Sequence, residues 1–312
     1  MNSNRILLSG GLGQVGSYIC EELVHRGHVV TILDNLSSTA NPYPPEANFV
    51  KGDIRDAGLA NILAKNADIV IHCAAQIYVS RSMDDPVFDA QNNVIGTLNL
   101  LNAARSANVK RFVYFSSAAT YGNPQRLPVD ESHSQEPMSP YGASKLSGEK
   151  YALMFHKAYG LPTTSIRPFN IYSPRQDPSN PYSGVISKFI NNVCKDKPPV
   201  IFGDGSATRD FVSVHDVVAM VMLMLEKDAC VGKAFNCGTG NVTRIDELAN
   251  TIIDLYGKDL KPELQPERPG DIKDSYADIT LGKKVLGYSP KVPLKDGLRA
   301  MIDLNHQGTK FY

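Results

Sequence analysis

Short apolar runs alternate with amphipathic stretches through the first half of the chain. Arg5-Ile-Leu-Leu-Ser9 is too short for a helix, and its apolar run suits a parallel strand buried on both faces. Val15, Ile19, Leu23 and Val24 then recur at helical spacing until Gly27 stops them. His28-Val-Val-Thr-Ile-Leu33 predicts a second strand closed by Asp34, which completes a strand–helix–strand unit. Phe49–Asp53, Asp68–Cys73, Arg111–Phe115 and Thr163–Arg167 repeat the strand signature. Val87, Val94, Leu98 and Leu101 predict the apolar side of one long helix over Pro86–Ala104, and Pro140 predicts another helix start. This alternation places the chain in the α/β class, with a Rossmann-type doubly wound parallel sheet.

The rhythm changes at Pro168. Pro168, Pro174, Pro178, Pro181, Pro198 and Pro199 interrupt it and predict a smaller C-terminal substrate-binding lobe. The expected division is a nucleotide-binding domain over 1–169 and a lobe over 170–312. The stretch 209–237 should return to the first domain through Phe211–Val214, helix His215–Glu226 and Ala234–Cys237. Arg244–Tyr256 and Leu294–Leu304 read as helices of the lobe. A ligand then belongs between the lobes, above the carboxyl ends of the strands.

The 312 residues carry 32 Lys and Arg against 32 Asp and Glu, so no global field favours nucleic acid or an anionic membrane. Cys20, Cys73, Cys194, Cys230 and Cys237 are scattered without a C-x-x-C pair, which fits reduced thiols in a cytoplasmic protein. Met1–Arg5 runs into a strand without a signal-peptide core, and the apolar helix near Val217–Leu225 is too short to span a bilayer. A soluble protein without a metal site is expected.

Gly10-Gly-Leu-Gly13-Gln-Val-Gly16 lies between strand and helix, where glycines let backbone approach a pyrophosphate and the helix start offers free N–H groups. Asp34 ends the next strand and suits ribose hydroxyls; a 2′-phosphate would meet its charge, so NAD is favoured over NADP. Asp53 could meet the adenine amino group, and the small Ala74 and Ala75 would let a cofactor pass close. Asn92 and Asn93 are unusual choices inside a helix. Ser116 and Ser117 stand at the carboxyl end of the Arg111–Phe115 strand, while Tyr141 and Lys145 share one helix face. A phenol of pKa about 10 is a poor base at neutral pH. The Lys145 ammonium and an oxidised nicotinamide should lower it, with Ser117 orienting a substrate hydroxyl.

These motifs, with Asp34-Asn-Leu-Ser-Ser38, Gly52-Asp-Ile54, Asn93-Val-Ile-Gly-Thr97, Arg167-Pro-Phe-Asn170, Gly203-Asp-Gly205, Thr208-Arg-Asp-Phe211, Phe235-Asn-Cys-Gly-Thr-Gly240, Arg268-Pro-Gly-Asp271 and Ala277-Asp278, span nearly the whole chain. In that order they resemble the extended short-chain dehydrogenase/reductases. Within these the chain is most similar to the UDP-glucose/UDP-N-acetylglucosamine 4-epimerase group of nucleotide-sugar epimerases. The resemblance implies NAD held by Gly10, Gly13, Gln14, Val15 and Gly16, then by Asp34, Asn35, Ser37 and Ser38. It extends that site through Asp53, Ile54, Ala74, Ala75, Asn92, Tyr141, Lys145 and Phe169. It implies a UDP-sugar gripped at its diphosphate by Asn170, Arg209 and Arg268, with Phe202 beside uracil, Asp271 on ribose, and Ser117, Val185 and Ser275 completing the pocket.

The implied reaction removes the sugar 4-OH proton through Tyr141, passes through a 4-keto sugar, and returns hydride to the other face. Gln14 departs from the aromatic or large apolar residue usual after this glycine, which bears on cofactor affinity. Ala118 and Ala119 stand where related dehydratases carry Asp-Glu and decarboxylases a Glu, so dehydration is rejected and decarboxylation disfavoured. Ser275 replaces a bulky residue of glucose-restricted relatives and leaves room for an N-acetyl group, unless Tyr276 fills the space. UDP-GlcNAc and UDP-GalNAc are therefore expected beside UDP-Glc and UDP-Gal, with uronic sugars open. A reductase or 2-epimerase on the same trio, or a non-enzymatic NAD-binding protein, is the alternative. The resemblance also implies a homodimer through the Pro86 and Tyr141 helices.

Overall fold

The computed structural model describes residues 3–38, 40–176, 184–267 and 271–306. Six strands come first: β1 (Arg5–Ser9), β2 (Val29–Asp34), β3 (Asn48–Lys51), β4 (Ile69–His72), β5 (Arg111–Phe115) and β6 (Thr163–Pro168). β7 (Asn170–Tyr172), β8 (Val200–Phe202), β9 (Thr208–Arg209), β10 (Phe211–Ser213) and β11 (Ala234–Cys237) follow. The short strands β12 (Thr243–Arg244), β13 (Glu263–Gln265) and β14 (Asp274–Ser275) complete the set. Seven of them form one parallel sheet in the order β11-β6-β5-β4-β1-β2-β3. The chain moves outward from β1 to β3 and then returns to β4 on the other side of β1. That reversal opens a crevice at the carboxyl ends of β1 and β4.

Helices cover both faces of this sheet, as a doubly wound fold requires. They are α1 (Gln14–His25), α2 (Ala57–Ala64), α3 (Val79–Asp84), α4 (Pro86–Ala90), α5 (Gly96–Ser106) and α6 (Pro140–Tyr159). After them come α7 (Val185–Cys194), α8 (Val214–Glu226), α9 (Ile245–Tyr256), α10 (Thr280–Leu286) and α11 (Leu294–His306). Successive strand side chains point to opposite faces. Ile6 and Leu8 therefore pack with Ile19 and Leu23 of α1 and Met220 and Val221 of α8. Leu7, Val70 and Phe112 pack on the other face with Leu100 and Leu101 of α5 and Phe155 of α6. A third apolar cluster lies among α7, α9 and α11. β11 joins the large sheet, whereas β10 pairs with β7 in a separate two-stranded sheet.

The expected helix over Pro86–Ala104 is divided. A five-residue π-helical turn, Gln91–Ile95, separates α4 from α5. The extra residue in that turn rotates the helix face, so Val87 is 64% exposed while Asn92 and Asn93 point inward. The apolar periodicity had placed Val87 inside because it assumed one unbroken helix.

Helix α6 is fastened to β6 by a buried ion pair. The Arg167 guanidinium donates from Nε to Glu149 Oε2 at 2.8 Å and from Nη2 to Oε1 at 2.7 Å. Arg167 Nη1 donates to the Tyr121 hydroxyl at 2.6 Å and to the Glu131 carbonyl at 3.1 Å. Tyr121 in turn donates to Asn236 Oδ1 of β11 at 2.7 Å. Beside the pair, Gly148 permits the close approach of α6 to β5: a Cβ there would lie 2.2 Å from the Tyr114 hydroxyl oxygen.

Burial disfavours the Glu149 charge, but Arg167 outweighs it and holds the carboxyl below its ordinary value. The pair therefore contributes stability above the ordinary carboxylate range, and that contribution is lost as pH falls through the depressed value. Glu149→Gln should lower unfolding free energy by about 3 kcal/mol near neutral pH, since it leaves a buried guanidinium without its counter-charge. Urea unfolding followed by circular dichroism checks this. The deficit should shrink in acid.

Candidate active site

The glycine loop shapes one end of a cavity of about 450 Å3 at the sheet's carboxyl edge. Gly13 caps α1 without a side-chain hydrogen bond, which leaves N–H groups of the first turn for a ligand. A Cβ on Gly16 would sit 2.1 Å from the Gly10 carbonyl oxygen, so the loop closes only over glycine. Asp34 Oδ2 accepts from the Leu12 N–H at 3.0 Å and Oδ1 from the Leu36 N–H at 2.9 Å. Each oxygen keeps a lone pair for a ribose hydroxyl. Asn41 closes the other side of Leu12, donating from its backbone N–H and its Nδ2 to the Leu12 carbonyl at 2.9 and 3.0 Å.

Ser117, Tyr141 and Lys145 line the same cavity. Ser117 is extended and begins a 3-10 turn, its Oγ accepting from the Ala119 N–H at 3.1 Å. Ser139 caps α6 by accepting from the Gly142 N–H at 3.1 Å, and the Tyr141 N–H donates to Ser82 Oγ at 3.1 Å. Burial pushes the Tyr141 phenol upward, opposed by a hydrogen bond with Ser117. The expected lowering of this phenol combines Lys145 with an oxidised nicotinamide; within the chain alone, desolvation sets the direction. Lys145 is 4% exposed, with Nζ 4.7 Å from the centroid of the Tyr114 ring. Burial drives its pKa down to about 8, opposed by Cys73, Asp89 and Glu149.

Behind the trio runs a buried polar network. Thr97 gives its hydroxyl proton to the Asn93 carbonyl at 2.6 Å, so it accepts from His72 Nε2 at 2.9 Å. His72 Nδ1 then accepts from Ser9 Oγ at 2.8 Å. Burial lowers His72 to about 3, which keeps the ring neutral beside Lys145.

The cavity brings together most of the expected cofactor set. Gly10, Gly13, Gln14, Val15 and Gly16 line it, as do Asp34, Asn35, Ser37, Ser38, Ile54, Ala74, Ala75, Asn92 and Phe169. Tyr141, Lys145, Ser117 and Asn170 line it as well. Asp53 does not. Its carboxylate pairs with Arg55 at 2.8 Å and accepts from Asn35 Nδ2 at 2.9 Å, and the Arg55 hydrogen bond holds its pKa well below the usual range.

Val185, Phe202, Arg209, Asp271 and Ser275 lie outside this cavity wall. Arg209 and Ser275 are partners in the β9–β14 register. The Arg209 guanidinium is oriented by the carbonyls of Thr208, Lys273 and Ile272 at 2.7, 3.0 and 2.6 Å. Arg268, Pro178 and Pro181 lie outside the described residues. Sequence reasoning missed Asn41, Tyr78 and Arg175, which also line the cavity. Arg175 stacks over the Tyr18 ring at 4.1 Å and pairs with Glu21, a contact across distant segments that no local pattern announces. Among the described residues no cluster of His, Cys, Asp or Glu could hold a metal ion. No described helix is long and apolar enough to cross a membrane.

Comparison with known proteins agrees with this geometry. Residues 6–238 match the NAD dependent epimerase/dehydratase family. The UDP-glucose 4-epimerase of Mycolicibacterium smegmatis is 41% identical over 307 residues, covering 96% of this chain and 97% of that relative. The Thermotoga maritima UDP-glucose 4-epimerase, solved with UDP-glucose, superimposes with a TM-score of 0.93 at 35% identity, covering 98% of this chain and 100% of that one. The Methanobrevibacter ruminantium UDP-N-acetylglucosamine 4-epimerase, solved with UDP-N-acetylmuramic acid, gives 0.93 at 36% identity, covering 99% and 100%.

The residues present fit NAD: a loop that only glycine can close, an uncapped helix start and an Asp with free lone pairs line one cavity. Asp34→Ala should weaken NAD binding at least tenfold, through lost ribose contacts and loss of the brace on Leu12. Quantifying NAD released from heat-denatured protein, beside titration calorimetry, checks it.

Proposed function

Because the chain belongs to the NAD dependent epimerase/dehydratase family, we propose that it is a 4-epimerase of UDP-hexoses that works through a transient 4-keto sugar. The observation that carries this is the convergence of Ser117, Tyr141 and Lys145 on the cavity that holds the glycine loop. Ala118 and Ala119 follow directly in the 3-10 turn, where neither side chain can donate or accept a proton. That composition favours epimerisation over the dehydration chemistry also found in the family.

Ser117 orients the sugar 4-hydroxyl, and the Tyr141 phenolate takes its proton as the C4–H bond breaks. Bound NAD supplies the hydride acceptor, a positive ring that favours phenolate, and the returning hydride. Lys145 supplies positive charge on the same helix face as the phenol. When the keto sugar presents its other face, Tyr141 gives the proton back to the C4 oxygen. Such a turn needs a firm grip on the nucleotide and a loose one on the hexose. Arg209, Arg268, Asn170, Phe202, Val185 and Asp271 are assigned to that grip, within a lobe formed mainly by 170–312.

Ser275, half-buried beside Arg209, supports acceptance of UDP-GlcNAc and UDP-GalNAc along with UDP-Glc and UDP-Gal. Exposed Met83, Val87, Tyr151 and Met154 on α3, α4 and α6 support a homodimer through these helices. Five unpaired cysteines support a reducing, cytoplasmic setting.

Proton NMR of the purified protein with UDP-glucose, and separately with UDP-GlcNAc, should show the galacto anomeric signal without added cofactor. If neither sugar changes even with NAD supplied, the neutral-hexose reading fails, and turnover of UDP-glucuronic acid would replace it. Tyr141→Phe should lower kcat by about 10^3-fold while leaving NAD bound; unchanged turnover removes Tyr141 from the chemistry.

A further inference from the structure

We infer that Asp89 is a positioning residue for the Tyr141–Lys145 pair, a sealed carboxylate that serves as the counter-charge of the buried ammonium and braces the start of helix α6. Asp89 lies on α4 and is 1% exposed. Its Oδ1 accepts from Gln76 Nε2 at 2.7 Å and from Asn93 Nδ2 at 3.2 Å. The same Asn93 amide reaches Ser144 Oγ at 3.0 Å, and Ser144 donates to the Tyr141 carbonyl at 3.0 Å. Gln76 and Asn93 also pair with each other, through the Gln76 N–H to Asn93 Oδ1 at 2.8 Å and Asn93 Nδ2 to the Gln76 carbonyl at 2.9 Å. Gln76 directly follows Ala74 and Ala75 of the cavity wall. The cluster thus joins that wall to the turn of α6 that carries Tyr141.

The groups whose charge or dipole acts on Lys145 are Cys73, Asp89, Glu149 and His72, with the Tyr114 ring under its Nζ and Tyr141 one turn earlier on α6. Burial keeps the Cys73 thiol and the Tyr114 phenol protonated and His72 neutral. Glu149 is committed to Arg167. Among the described residues, Lys145 has no carboxylate at ion-pair distance. Among the described residues Asp89 has no cation at that distance either, and its Oδ2 is buried without a partner. Two uncompensated opposite charges in one desolvated region stabilise each other over a longer range than they would in water. The Asp89 charge also favours the protonated ammonium and disfavours phenolate.

The test compares NAD-loaded wild-type protein with NAD-loaded Asp89→Asn and Asp89→Glu. Side-chain 15N lysine NMR follows the Lys145 signal, identified by its loss in Lys145→Arg. Removing the charge should move the Lys145 midpoint to lower pH by about one unit, and Asp89→Glu should restore it. Asp89→Ser, which adds no amide to the cluster, should give the same acid shift if Asp89→Asn fails to fold. Unmoved midpoints in the charge-removing variants would overturn the inference. Although the kinetic consequence rests on the proposed epimerase reading, the NMR titration does not, so the two can fail separately. With an active enzyme, the alkaline limb of kcat should move to lower pH in Asp89→Asn. A uniform loss of kcat with unmoved limbs would mark Asp89 as a packing residue and overturn the inference too.

Discussion

Arg167 and Glu149 form the join on which the site depends. One end of this buried pair lies on β6, next to the edge strand, and the other on the helix that carries Tyr141 and Lys145. Such a pair is weak evidence for net stability, because two desolvated charges cost about as much as their attraction returns. Its value is directional. A bidentate guanidinium fixes the rotation of α6, and from it hydrogen bonds pass through Tyr121 to Asn236 on the edge strand β11. Strand, helix and edge are thereby set in one register, and Tyr141 faces the cavity as a consequence.

The same burial that positions the trio also detunes it. A phenol and an ammonium in a dry wall both shift toward their neutral forms, so the phenol rises and the lysine falls to about 8. Charges further away then matter more than they would in water. The chain carries no net charge, so there is no net attraction to an anionic ligand and local groups weigh more. An anionic ligand has to be met locally, and the uncapped start of α1 offers free N–H groups for it.

The path from sequence to site was legible wherever the chemistry is local. Gly10 to Gly16, Asp34, and the Tyr141–Lys145 spacing each fall inside one strand–turn–helix unit, and the cavity assembles all of them. It was poorly legible where one side chain has a choice of partners. Asp53 ends its strand region as expected yet turns to Arg55, two residues away, because a bidentate pair outcompetes an open lone pair. Val87 has the right spacing for a core position, and one additional residue in the following turn carries it to the surface.

By itself the sequence determined the parallel sheet, the glycine-closed loop and the presence of Ser117, Tyr141 and Lys145 along one cavity. Those properties follow from periodicity and from what a Cβ, a phenol or an amine can do within a few residues. Only the tertiary structure decided that Asn41 clasps Leu12, that Arg175 stacks on Tyr18, and that Asp89 lies sealed in a cluster reaching Ser144 through Asn93. These contacts join segments far apart in the chain, and their strength comes from the exclusion of water. Burial is a property of the folded whole, so no local pattern could have announced it.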